Sequence, residues 1–134
     1  MSNHKLSEVS KIDILIASVD ASAGETGATY LDTSLFRDFR AVGTAIALAD
    51  AGTMSVEFRQ ATDASGTGDK ILGAAVVTTN STGGAADTEA EVNAEAGDLD
   101  YDNGFTFIGV RIIASAAADS AGLIQSGNAR FMPV

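Results

Sequence analysis

Apolar residues in this chain return at every second position, in short runs that Gly, Ser, Asp, Asn and Thr repeatedly interrupt. That spacing demands extended backbone, because successive side chains of a strand point to opposite faces, whereas a helix repeats about every 3.6 residues. Ile12, Ile14 and Ile16 alternate with Asp13 and Leu15, and Asp20 to Gly27 has loop composition. Thr29 to Asp32 reads as a short strand before a turn at Thr33 and Ser34. From Phe39 the chain reads FRAVGTAIALADAGTMSVEFRQATD. Val42, Thr44, Ile46 and Leu48 fall on one face, Asp50-Ala51-Gly52 makes a turn, and Met54, Val56 and Phe58 share a face of the returning run. The pattern predicts a hairpin.

The loop Thr62 to Asp69 leads into a strand over Lys70 to Thr79, with Ile71, Val76 and Val77 among alanines, and Asn80 to Ala86 is loop again. Ala85 to Ala96 has helix-favouring Ala and Glu, and Thr88 with Glu91 fits a capping box. Yet Ala90, Val92 and Ala94 alternate with Glu89, Glu91, Asn93 and Glu95, and a helix there would lack an apolar stripe. An edge strand is the expectation. Gly104 to Ser115 (GFTFIGVRIIAS) is almost continuously apolar, which predicts a central strand covered on both faces. Asp119 to Gly122 reads as a turn, followed by two short strands around Leu123-Ile124 and Ala129 to Met132, with Pro133 at the close. Seven to nine short strands with turn residues between them imply an all-β fold, an antiparallel β-sandwich or jelly-roll-like barrel. Phe58, Val56, Phe107, Val110 and Ile112 are its expected core, and no internal repeat points to a propeller or β-helix.

The 134 residues suit one domain. Ile, Leu, Val and Phe total 32, above the roughly 20% floor of folded chains, while 24 alanines make the core modest. Residues 1–10 (MSNHKLSEVS) are polar and read as an arm, leaving residues 11–134 as a single sandwich domain. Eighteen acids against eight bases give a net charge of −10, which repels nucleic-acid phosphates and anionic membranes. The absence of cysteine removes disulfides, thiolate catalysis and Cys-type zinc sites. No apolar run nears the roughly 18 residues of a membrane span and residues 1–10 lack a signal-peptide core, so synthesis in the cytoplasm is expected.

Few motifs carry chemistry. Asp98, Asp100 and Asp102 lie among seven acids from Asp87 onward and resemble the start of a calcium loop. Asn103 stands where that loop needs Gly, and Gly109 where it needs a bidentate Glu, so a solvated turn at Asn103-Gly104 competes with a weak cation site. Gly66-Thr67-Gly68-Asp69-Lys70 lacks phosphate-loop spacing and joins two strands. Asn80-Ser81-Thr82 fits a glycosylation sequon. His4, the single histidine, sits in the arm, where no packed shell fixes it for a triad. Arg37, Arg40, Arg59 and Arg130 read as local ion pairs among acids, although arginine also serves interfaces. Tyr30 and Tyr101 are the two tyrosines that could stack a sugar. No catalytic, cofactor or metal residue is assigned, and an enzyme is not expected.

Three segments together carry a family resemblance: MSVEFRQATDASGTGDK (Met54 to Lys70), GFTFIGVRIIAS (Gly104 to Ser115) and AGLIQSGNARFMPV (Ala121 to Val134). Over roughly residues 39–134 the chain resembles the head-decoration, cement or auxiliary capsid proteins of tailed bacteriophages. The resemblance implies a β-sandwich that binds the major capsid protein on the outer capsid surface, commonly as trimers at three-fold positions. It includes no site motif. The acidic charge argues against a DNA-facing position and for an Asp87 to Asp102 segment turned to solvent. The alternatives are a phage head-to-tail connector or tail component, and a small carbohydrate-binding β-sandwich module.

Overall fold

The computed structural model describes residues 10–20, 25–27, 29–115 and 119–129. Among them nine strands follow in chain order: β1 (Ser10–Asp20), β2 (Glu25–Thr26), β3 (Leu31–Asp32), β4 (Phe36–Leu48), β5 (Thr53–Ala61), β6 (Lys70–Thr79), β7 (Ala86–Glu95), β8 (Phe107–Ala114) and β9 (Asp119–Ala129). Two 3-10 turns, Ala96–Asp98 and Tyr101–Asn103, lie between β7 and β8. One sheet has the order β1-β9-β4-β7; in the other, β8 lies between β5 and the pair β2 and β3, with β6 beyond β5. All pairs are antiparallel. With β2 and β3 counted as one interrupted strand, two sheets of four result, and every connection except β5–β6 passes from one sheet to the other. This is jelly-roll order, the all-β sandwich that the period-two runs imply. Of the arm expected over residues 1–10, only Ser10 is described, as the start of β1.

The two inner faces are unlike. Between Phe39 and Leu48 the inward residues of β4 are Ala41, Gly43 and Ala45, joined by Ala90 and Val92 of β7. The facing sheet offers Met54, Val56 and Phe58 from β5, and Ile108, Val110 and Ile112 from β8, all fully buried. A Cβ on Gly43 would stand 3.1 Å from Met54 Cε and 3.3 Å from Ile112 Cδ1. Small residues on one sheet therefore make the room that large ones on the other fill, at the density of a protein interior.

This pairing overturns part of the sequence reading. Val42, Thr44 and Ile46 point outward, Ile46 being 54% exposed, because the core takes the small alternate residues instead. Leu48 nonetheless is buried. The register passes from Ala45↔Thr88 to Leu48↔Ala86, so Ile46 and Ala47 stand opposite Asp87 alone. Ala47 takes a left-handed φ of 54°, its N–H donates to the Asp87 carboxylate at 2.9 Å, and this bulge reverses which face the next residue presents. The expected β4–β5 hairpin is instead a crossing between sheets, and among the described residues the one hairpin is β5–β6. Asp119 to Gly122 is not a turn but the start of one strand, Asp119–Ala129, that includes Leu123 and Ile124; the second strand expected over Ala129 to Met132 falls, beyond Ala129, outside the described residues. Within the Asp20 to Gly27 loop the two residues of β2 pair with β8.

Other expectations hold. β7 is an edge strand, and β8 is interior to its sheet. The covering of β8 is unequal, however: Ile108, Val110, Ile112 and Ala114 are fully buried, whereas Phe107, Arg111 and Ile113 on the outer face are half-buried. Phe107 thus leaves the expected core list. The Tyr30 ring covers that outer face at Gly109, where a Cβ would lie 2.7 Å from Tyr30 Cε2. Gly66, at φ 87°, closes on the other edge of the ring, its Cβ position 2.8 Å from Tyr30 Cε1. Gly109→Ala is therefore expected to destabilise the fold by about 1–3 kcal/mol through overpacking. Gly43→Ala meets the movable tip of Met54 and should cost less. Thermal melts of both variants check the order; equal melting temperatures would contradict the clasp.

Candidate functional site

Alternation along β5 turns Glu57 and Arg59 to the outer face of its sheet, and the register sets Glu57 beside Arg111 of β8. Arg59 is the hub. Its Nε donates to both Asp69 carboxylate oxygens at 3.1 Å and its Nη2 lies 2.5 Å from Oδ2. Its Nη1 stands 3.4 Å from Glu57 Oε1, and Arg111 Nη1 approaches the same oxygen at 3.6 Å. The Tyr30 hydroxyl donates to Asp69 from above. Burial and then the hydrogen bond to Asp69 push the Tyr30 phenol well above its ordinary pKa. Burial opposes the charge on Asp69, but the hydrogen bonds from Arg59 and Tyr30 outweigh it and hold the carboxyl below its usual range. The hydrogen bond to Asp69 raises Arg59 further. A neutral phenol, an anion and a cation are thereby locked in place, which rigidifies the outer face.

The neighbouring loops close on their own polar groups. Asp63 accepts from the amides of Ser65 and Thr67 and from the Thr67 hydroxyl, which last bond does most to lower its pKa. The Gly66–Lys70 segment is thus a closed hairpin loop. Lys70 Nζ is 2.6 Å from Asp100 Oδ2 and 4.0 Å from the centre of the Phe105 ring. That contact and the Asn103 amide lower Asp100. The Asp98 carboxylate accepts the Glu95 N–H at 2.8 Å, and Asp102 is exposed. So Asp98, Asp100 and Asp102 have separate tasks, and among the described residues no three such side chains gather as a metal site. Gly104, at φ 84°, makes the expected turn, but within a segment that joins the two sheets.

The remaining candidates separate likewise. Asn80 is buried; its side-chain amide donates to the carbonyls of Leu48 at 2.7 Å and Gly84 at 2.8 Å, tying two connections together. The sequon's asparagine is therefore structural. Tyr30 is buried, and Tyr101 has its hydroxyl 2.8 Å from Thr33 Oγ1, so the two form no stacking platform. Arg40 pairs with Glu91 across β4 and β7, both exposed, while Arg37 is exposed and His4 and Arg130 lie outside the described residues. An open groove of about 550 Å³ is lined by Asp38, Phe39, Asn93, Ala94, Glu95 and Asp98. Its carboxylates give it an acidic rim. Arg59 does form the ion pair that the sequence implies, with Asp69; the wider network escaped sequence reading, its signal being the polar face of β5 and the single Arg111 in an apolar strand, which only the register brings together.

Because the folded chain lowers Asp69, Asp63 and Asp100, their stabilising ionisation is complete above the unfolded carboxyl value of about 3.9 and is lost as pH falls through the lower folded values. Melting temperature is expected to fall as pH drops from about 5 toward 2. Asp69→Asn should start lower at neutral pH and fall less. Identical slopes for the two proteins in pH-dependent melts would remove Asp69 from the account.

No protein-family model matches this chain, and no curated protein matches it in sequence. Solved structures do share its fold. One is the crystal structure of the PBSX exported protein XepA, with a TM-score of 0.55 at 17% identity over 92% of this chain. The infectious bursal disease virus VP2 subviral particle gives 0.54 at 8% identity over 90%, and the Gx strain of that virus 0.52 at 10% over 89%. The chain spans 39% of the first structure's length and 32% of the other two. At such identities the likeness is one of fold.

Proposed function

We propose that this protein is a structural virion component that binds the outer surface of a phage capsid and stabilises the shell, without catalysis. The observation that carries the reading is the jelly-roll order itself, two sheets of four with crossing connections, in a chain whose fold is similar to those of the PBSX exported protein XepA and the infectious bursal disease virus VP2 subviral particle. The sequence resemblance to decoration proteins points the same way. Its partner would be the major capsid protein, its arrangement trimers at three-fold positions, and its place the capsid exterior after synthesis in the host cytoplasm.

Charge and rigidity support an outside position. A net charge of −10 would be repelled by packaged DNA. The acids of β7, Asp87, Glu89, Glu91 and Glu95, are all exposed, as suits a strand turned to water. Ion pairs and buried asparagine bonds stiffen both ends of the sandwich. Linked subunits convert weak single contacts into avidity of roughly 10²–10⁴-fold, enough for a small protein to hold a shell. The carbohydrate module loses its main support with Tyr30 buried.

Purified protein mixed with phage capsids that lack it, then sedimented and imaged, tests the proposal. Co-sedimentation with density spread over the outer surface is expected. Density confined to the tail vertex would establish the connector instead, and failure to co-sediment at any salt concentration would overturn the capsid role.

A further inference from the structure

Asn103 and Gly104 are the one asparagine–glycine pair in the chain. They end the second 3-10 turn, and both are exposed. Glycine has no Cβ to shield its own backbone nitrogen, and a Cβ built on Gly104 would meet nothing within 4 Å. The space beside that nitrogen is therefore open to the preceding side chain. Hydrogen bonds occupy both groups in the folded turn. Asn103 Nδ2 donates to the two oxygens of the Asp100 carboxylate at 3.0 and 2.9 Å, and the Gly104 N–H donates to the Tyr101 carbonyl at 3.0 Å. Asp100 is itself anchored, its N–H on Gln60 Oε1 at 2.9 Å and its Oδ2 2.6 Å from Lys70 Nζ. The other described asparagines are placed differently. Asn80 is buried with its amide on the Leu48 and Gly84 carbonyls, and Asn93 lies within β7 with Ala94 after it.

We propose that Asn103 is a site of spontaneous covalent modification, at which the Gly104 nitrogen closes on the Asn103 side chain and Asp100 sets the pace. The Gly104 nitrogen attacks Asn103 Cγ, the Cγ–Nδ2 bond breaks, and the departing NH2 carries off the Gly104 proton as ammonia. Water then opens the five-membered imide at either carbonyl. One opening leaves aspartate, the other isoaspartate with the backbone routed through the side chain. No oxidant or cofactor takes part. Attack requires the side chain to leave Asp100 and the Gly104 N–H to leave Tyr101, a local opening of the turn. Once both are free, the two groups need no encounter, because the chain already holds them side by side. The product reverses the local electrostatics. A carboxylate then faces Asp100 where an amide had donated to it, and Lys70 has two anions to serve. The turn lies between β7 and β8, where the chain passes from one sheet to the other, so the change falls on a connection that the sandwich depends on. The reaction does not depend on capsid binding.

The full chain is kept for weeks in warm, mildly alkaline buffer, one portion folded and one in urea. Samples are cut after glutamate, which separates the three asparagines because Glu89, Glu91 and Glu95 lie between them, and the peptides are sequenced by tandem mass spectrometry. In the folded portion Asn103 is expected to gain the mass of an amide-to-acid exchange and to split into two chromatographic forms, while Asn80 and Asn93 stay unchanged. The gain should be slower than in urea. Asn103→Gln, which would need a larger ring, should abolish it. Asp100→Ala, with its fold verified by circular dichroism, should speed it severalfold. No gain at Asn103 in the folded portion, or a gain as fast at Asn80 or Asn93, would overturn the site. Equal rates in the folded and urea portions, or an Asp100→Ala rate equal to the parent's, would overturn the control assigned to Asp100.

Discussion

Two unequal sheets hold this fold together. One brings Ala41, Gly43 and Ala45 to the interface and the other Met54, Val56, Phe58, Val110 and Ile112. Dispersion attraction falls steeply with any gap, so the sheets must approach until the large side chains touch backbone across the interface. Alanine is thus the complement of the large residues rather than a weak substitute for them. The bulge at Ala47, the inward Leu48 and the crossing that follows all serve to keep this one face turned inward along the length of β4.

Polar side chains then secure what packing leaves loose. Connections that cross between sheets expose backbone groups that no ladder satisfies, and these must find partners elsewhere. Asn80 answers for the Leu48 and Gly84 carbonyls at one end. At the other, Gln60 accepts the Asp100 N–H at 2.9 Å and Thr33 donates to the Thr106 carbonyl at 2.8 Å. Tyr30, held between Gly66 and Gly109, links that end to the Arg59 network on the outer face. These bonds are spent on shape, as the structural role proposed for the protein requires.

Strands were legible because period two is a local property: β1, β5, β7 and β8 lie close to where alternation puts them. Pairing was not, because it depends on which sheet a strand joins. Val42 and Ile46 are larger and more apolar than Ala41 and Ala45, yet the facing sheet had already taken the volume. Asp50-Ala51-Gly52 turns the chain as its composition implies, and nothing in those residues tells a hairpin from a crossing. The Tyr30–Asp69–Arg59 cluster is non-local in the same way, since its members lie 39 and 10 residues apart in sequence.

The place of β9 has a consequence for how the molecule is made. The last of the described strands, β9, lies inside the first sheet, between β1 and β4. Until residues near Ala129 leave the ribosome, β1 has no neighbour and β4 presents one open side. Cotranslational folding can therefore complete the β5–β6 hairpin and little of the first sheet. Contacts between strands as far apart in sequence as β1 and β9 are costly in loop entropy and slow to form. The nascent chain would spend that interval with unpaired strand edges exposed, when association with other chains is most dangerous.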